Sequence, residues 1–235
     1  MKTISSTGIV GEVGILNLEL KDKALTKMIG DDWKESSYYE IAEKYIDTWW
    51  AEDSIFYKRF KELDCRNIVE LACGHGRHVQ KYLKNAETVI LTDINLENID
   101  FCRRRYPNEI KIKYIVTEGN NFKGIDENTQ TAIFTYDAMV HFEMLDIIDY
   151  LKDANRILVD GGRILFHHSN ACFNPELHYH YKPHCRNYMS DDIFAYLASR
   201  CGFKVLSQDI IPWGSGNDFA RDLDCLSLCQ KIKKA

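Results

Sequence analysis

Apolar positions along the chain follow two rhythms. From Lys21 to Leu63 they recur every three or four residues, most clearly in SYYEIAEKYIDTWWAEDSIFYKRFKEL, which predicts helix with a buried packing face. From Asn67 onward, short apolar runs alternate with amphipathic segments. Strands are expected at 67–71 (NIVEL), 88–93 (TVILTD), 110–117, 131–138 and 161–169, with helices at 76–85, 95–106 and 144–158 between them. Such alternation predicts an α/β fold, a mostly parallel sheet with helices on both faces. The ending departs from it. A helix at 190–203, with Ser190 as its N-cap, precedes two strands, KVLSQDIIPW and LDCLSLCQK, joined by a Gly-containing turn. With no helix between them, these two strands should pair antiparallel. The expected organisation is an N-terminal helical cap over 1–64 and a core over 65–235.

Composition narrows the class. With 235 residues, 45% of them hydrophobic, the chain can bury a substantial core. No apolar run approaches the roughly 20 residues needed to span a bilayer, and Glu12 interrupts the apolar N-terminal stretch where a targeting signal would lie. The expectation is a cytoplasmic protein without a membrane partner. A net charge of −5 argues against a nucleic-acid surface. Of the two basic runs, RRR at 103–105 suits a helix C-terminus and KIKK at 231–234 a solvated tail. A small-molecule partner fits better. The eight cysteines form no CxxC pair, so free, mostly buried thiols are expected and no structural zinc site.

Candidate chemistry begins at IVELACGHGRHVQKY (68–82), a strand that turns through two glycines into a helix. A dinucleotide-binding turn reads G-x-G-x-x-G/A, but here the third small position is Val79. Glu70, at the strand's end, would repel a pyrophosphate, whereas a ligand with a cationic end tolerates or welcomes an acid. Asp93 ends the second strand 19 positions after Gly74 and can accept hydrogen bonds from ribose hydroxyls.

These segments resemble the class I S-adenosylmethionine (SAM)-dependent methyltransferases. The resemblance rests on ELACGHGR (70–77), LTDIN (91–95), EGNNF (118–122) and TYDAMVHF (135–142), and it runs from Asn67 to about Lys231. It implies a Rossmann-like sheet closed by the late hairpin, SAM as the cofactor, and a variable N-terminal cap. It further implies that Glu70, Ala72 and Gly74 surround the methionine end, with Asp137 near it. Asp93 would bind the ribose, Ile94 and Phe122 would flank the adenine, and Asn120 or Asn121 would meet its amine. Ala72 and Cys73 depart from the family pattern, which often has a further glycine there.

Methyl transfer needs an aligned nucleophile, and a base where that nucleophile is a protonated hydroxyl. His141 follows the fourth strand and His167 and His168 end the fifth, so these three are the candidate bases. Segment 170–189 is long for a loop and carries His178, His180, His184 and Arg186, which suggests a substrate-covering element. In the cap, some of Tyr38, Tyr39, Trp49 and Trp50 are expected to cover the site as a lid, with Tyr39 and Trp50 as further substrate candidates. A zinc site using these histidines and Cys185 is conceivable, but the spacing matches no zinc signature. The reading is methyl transfer to a small-molecule hydroxyl, with a sugar or related metabolite among the candidates. The alternatives are an NAD-dependent oxidoreductase and a non-catalytic adenosyl-ligand-binding protein.

Overall fold

The computed structural model describes residues 18–233. The first part of the cap, including the stretch read for a targeting signal, lies outside them.

Seven strands form one sheet in the order β3-β2-β1-β4-β5-β7-β6. They are β1 (Asn67–Leu71), β2 (Thr88–Asp93), β3 (Ile112–Val116), β4 (Gln130–Thr135), β5 (Leu158–Ser169), β6 (Phe203–Trp213) and β7 (Ala220–Lys231). The first five run parallel, and β7 is antiparallel to both β5 and β6. The expected hairpin is therefore present, with β7 inserted between β5 and β6. Ile68, Val69 and Leu71 of β1 and all of β4 are buried, as central parallel strands require.

Helices cover both faces. Under one face, α4 (Ile55–Phe60), α5 (Val79–Tyr82) and α6 (Leu96–Arg105) contribute Phe56, Phe60, Val79, Tyr82, Ile99 and Cys102 to a core with Ile68, Phe134 and Leu165. On the other, α7 (Met144–Ile157) and α8 (Asp191–Arg200) pack Tyr150, Leu151, Ala154 and Phe194 on Val69, Leu71, Ile133 and Phe166. Ser190 caps α8 as expected, accepting from the Ile193 amide at 3.1 Å.

The helical stretch at 21–63 is four helices and not one: α1 (Leu18–Asp32), α2 (Tyr38–Glu43), α3 (Ile46–Trp49) and α4. The first three lie against the carboxyl edge of the sheet. Asn95 donates to the Gly30 carbonyl at 2.8 Å, and Thr26 to Asp146 at 2.7 Å. Gly119, with φ at +93°, has no room for a side chain, since a Cβ there would sit 2.5 Å from Thr26 and 2.8 Å from Ile94. The expected helix at 76–85 is short, four α-helical residues followed by a 3-10 turn. No helix among the described residues is long and apolar enough to cross a membrane.

Candidate active site

Strand order reverses between β1 and β4, and open α/β sheets bind ligands in the crevice outside the carboxyl ends at that point. A cleft of about 790 Å³ lies there, roofed by α1 and α2. Its floor contains two residues in the left-handed region, Ala72 after β1 (φ +54°) and Asp137 after β4 (φ +59°). Backbone strain of this kind in non-glycine residues clusters at ligand sites.

Asp93 sits on one side of the cleft. Its Oδ2 accepts the Gly74 amide at 2.9 Å, and its Oδ1 accepts the Asn95 amide at 2.9 Å and the Asn98 amide group at 3.1 Å. Burial raises its pKa, with these donors opposing the shift. The turn above it is closely packed. Gly74 has φ +53°, and a Cβ there would lie 2.6 Å from the ring of Tyr39. Tyr39 also lines the cleft, accepts from Asn98 at 2.8 Å and stacks on His75.

Asp137 sits on the other side. Its Oδ2 accepts from Tyr38 at 2.9 Å and Arg77 at 3.2 Å, and burial raises its pKa as well. The Asp137 amide donates to His167 Nδ1 at 3.0 Å, so Nε2 carries that ring's proton and donates it to Asp224 at 3.1 Å. Two buried donors on the cleft wall have no partner among the described residues, Arg77 Nε and Trp33 Nε1.

His141 lines the cleft in stacked contact with Trp33, ring centroids 4.4 Å apart. Its Nδ1 lies 2.8 Å from the Cys185 carbonyl, which can only accept, so Nδ1 is protonated and Nε2 keeps its lone pair. Burial, aided by the charge of Arg186, lowers its pKa to about 3. The ring is neutral throughout the physiological range, and Nε2 has no protein partner among the described residues.

Of the residues singled out in the sequence, Ala72, Asp93, Ile94, Asp137, His141 and Tyr39 line this cleft, and Gly74 lies directly beneath it. The others lie elsewhere. Glu70 shares the Ile68 face of β1, where Tyr82 donates to it at 2.7 Å, because strand side chains alternate. Phe122 is fully buried against Tyr150. Asn120 and Asn121 bond to each other at 2.9 Å and border a separate surface depression with Asp153 and Arg156. His167 and His168 are fully buried inside β5, His168 between Ser227 and a stacked Phe194. Trp50 packs on Phe60 and donates to His78 at 3.0 Å. His180 reaches Asp32 at the end of α1, and His178 contacts His180. Arg186 is 2% exposed and gripped by Asp224. No group of three or more His, Cys, Asp or Glu among the described residues could hold a metal.

Tyr38, one of the cap aromatics read as a possible cover, also lines the cleft, and sequence reading missed Trp33, Arg77, Thr117, Phe142 and Tyr150. Arg77 had a signal, since it follows the glycine turn directly. Trp33 had only its place in an aromatic-rich cap.

This donor and acceptor set fits SAM. Unpartnered Arg77 and Trp33 donors suit a carboxylate, two buried aspartates suit an ammonium and ribose hydroxyls, and Ile94 and Phe142 offer apolar walls. A dinucleotide fits poorly. The Gly74 amide that would hold a phosphate already bonds Asp93, and α5 has only four residues.

Comparison with known proteins agrees. Residues 68–162 match the methyltransferase-domain family. No curated protein matches the sequence. Among solved structures, the chain is similar to geranyl diphosphate C-methyltransferase from Streptomyces coelicolor A3(2), solved with S-adenosyl-L-homocysteine (14% identity, TM-score 0.64, covering 88% of this chain and 98% of that one). It is similar to a Haloferax volcanii protein solved with the Trm112 methyltransferase activator (14% identity, TM-score 0.65, covering 88% and 99%). It is also similar to a SAM-dependent methyltransferase from Mesorhizobium loti (13% identity, TM-score 0.60, covering 75% and 97%). The chain has the class I SAM-dependent methyltransferase fold, and its residues 68–162 match the methyltransferase-domain family.

Proposed function

We propose that the protein transfers a methyl group from SAM to a hydroxyl oxygen of a small molecule. The observation that carries this reading is the geometry of His141, a ring in the cleft with Nδ1–H fixed on a backbone carbonyl and Nε2 open. An alcohol or phenol is a poor nucleophile while it holds its proton. An imidazole nitrogen that accepts that proton as the oxygen–carbon bond forms removes the difficulty.

The chain's own groups divide the remaining work. Arg77 and Trp33 would hold the methionine carboxylate, Asp137 the ammonium, and Asp93 the ribose hydroxyls. Ile94 would flank the adenine, and α1 and α2 would exclude water. When bound, SAM supplies an electrophilic methyl group on a cationic sulfur. Tyr38 keeps Asp137 turned toward the cleft through its hydroxyl, and Cys185 keeps His141 in one tautomer.

The test is calorimetric titration with SAM, S-adenosylhomocysteine and NADH, followed by methyl transfer from labelled SAM to a panel of alcohols, phenols, amines and thiols. Tight adenosyl binding with label appearing on hydroxylated acceptors supports the proposal. Label confined to amines or thiols would remove the hydroxyl assignment. NADH binding in place of SAM would remove the whole reading.

A further inference from the structure

Beside the cofactor cleft, and sharing Tyr38 with it, lies an open groove of about 1380 Å³. It is built by α2, α3, the start of α4, the segment after β4, the end of β6 and the β6–β7 turn, with His184 of the 170–189 loop. Its walls carry six aromatic rings, those of Tyr38, Tyr45, Trp49, Phe56, Tyr136 and Trp213. Trp49 and Trp213 face each other at 6.2 Å with rings 27° apart, and Tyr136 meets the edge of Trp49 at 5.3 Å. Tyr45, 48% exposed, and Ile41, 44% exposed, form the outer rim.

Two features set the chemistry of an occupant. No Lys or Arg lines the groove among the described residues, and its one carboxylate, Asp218, is exposed. Arg77 and Arg186 lie over the Trp49 and Trp213 rings at 5.1 and 5.3 Å, but outside the groove lining and each in an ion pair, with Asp137 and Asp224. An anionic ligand would meet no Lys or Arg on the groove wall itself, and the two guanidinium groups behind the rings are balanced by aspartates. The apolar walls also carry open polar points. The Tyr136 hydroxyl and the indole N–H groups of Trp49 and Trp213 have no hydrogen-bond partner among the described residues. Flat aromatic faces with a few neutral donors at their edges suit a ring that stacks and carries hydroxyls.

Position links the groove to the chemistry. Tyr38 forms the partition, its hydroxyl on Asp137 and its ring edge-on to Trp33, which stacks on His141. A molecule lying on Trp49 and Trp213 is separated from the candidate base by Tyr38 and Trp33.

We propose that this groove is the acceptor subsite and takes an uncharged, hydroxylated ring stacked on Trp49 and Trp213. The inference rests on the methyltransferase reading. Aromatic rings and sugar rings share the required chemistry, a flat apolar face with hydroxyls at its edge, and experiment separates them.

The protein is first titrated with S-adenosylhomocysteine, and the loaded protein is then titrated with 2-naphthol, methyl β-glucopyranoside and 2-naphthoate. The same titrations are run on Trp213→Ala and Ile41→Asp, the second at an exposed rim position that does not threaten the fold. One or both neutral rings should bind, naphthol marking an aromatic acceptor and the glucoside a sugar. Both variants should weaken that binding about tenfold, the worth of roughly one aromatic contact, while S-adenosylhomocysteine affinity holds. Naphthoate binding as tightly as naphthol would overturn the proposal, as would neutral-ring binding indifferent to both substitutions or no neutral-ring binding at all. Those results leave the methyltransferase reading standing if S-adenosylhomocysteine still binds. Failure of S-adenosylhomocysteine itself to bind would overturn that reading and this inference with it.

Discussion

Arg186 grips Asp224 at two points, Nε to Oδ1 at 2.7 Å and Nη2 to Oδ2 at 2.5 Å, with both side chains out of solvent. Its third nitrogen donates to the His184 carbonyl at 2.9 Å, so the pair ties the 170–189 loop to β7. Asp224 also accepts from His167, whose other nitrogen receives the Asp137 amide. Burial alone would raise the Asp224 carboxyl, but His167 and Arg186 outweigh it and hold it at about 2. One buried carboxylate therefore supports both sides of the cleft, the strained Asp137 through His167 and the Cys185 carbonyl under His141 through Arg186.

Breaking one partner of a buried pair leaves the other charge unpaired, at a cost of about 3–5 kcal/mol. Arg186→Met should lower stability by about that much in urea denaturation. Arg186→Lys keeps the charge but loses the fork, and should fall between the two. A loss below about 1 kcal/mol for Arg186→Met would mean that the loop is held by other contacts.

Replacing His141 separates binding from chemistry. His141→Ala should lower kcat about a hundred- to ten-thousand-fold, the usual contribution of a general base. S-adenosylhomocysteine affinity should stay within about threefold, since no cofactor role is assigned to the ring. Because the ring is held neutral with a pKa near about 3, its protonation produces no acid limb in kcat at neutral or mildly acid pH. Single-turnover rates across pH, with calorimetry on the variant, check both statements.

Gly74→Ala tests the turn beneath the cofactor. The substitution puts a Cβ at positive φ and drives it 2.6 Å from the Tyr39 ring, which cannot withdraw without leaving Asn98. Strain of this kind costs about 1–3 kcal/mol, and the displaced Tyr39 should weaken S-adenosylhomocysteine binding at least about tenfold. Calorimetry on the variant, with circular dichroism to confirm that it folds, distinguishes a local effect from global loss.

The parts legible in the sequence are those set by local pattern. Strand ends follow from where apolar runs stop, so Ala72, Asp93, Asp137 and His141 could be placed at the carboxyl edge from their neighbours alone. Which way a side chain points depends on tertiary partners. Glu70 turns toward a tyrosine 12 residues on, and the partners of His167 and His168 lie 57 and 59 residues away on β7. Trp49 and Trp50 differ by one position, yet the first faces the groove and the second the core. The loop at 118–122 reads as an adenine contact, but packing against α7 buries Phe122 and turns both asparagines outward. The cap reads as one helical stretch, because the breaks that bring Trp33 and Tyr38 over the cleft carry no proline or glycine signal beyond Gly30.

Acidification should destabilise the protein, with the sign set by its buried histidines. Burial holds His141 at about 3, His168 at about 4 and His78 well below the ordinary imidazole range. In the unfolded chain these rings titrate near about 6.5. Their stabilising contribution is thus complete above that pH and is lost as pH falls toward the folded values. The unfolded state there binds protons that the native state refuses, at up to about 1.4 kcal/mol per pH unit for each ring. Glu70 acts the other way. Burial pushes its carboxyl up to about 7, so the native state takes up a proton well above the unfolded glutamate value of about 4.3. Burial also raises the Asp93 and Asp137 carboxyls, which oppose the rings at lower pH, so the net loss should be clearest just below about pH 6.5. Glu70→Gln removes one opposing group, so it should steepen that loss and also raise stability near pH 8, where wild-type Glu70 is a buried anion. Urea midpoints near pH 5, 6.5 and 8 decide it. A flat profile on the acid side in both proteins would mean that the native state takes up as many protons as the unfolded chain, against the expectation from the buried rings.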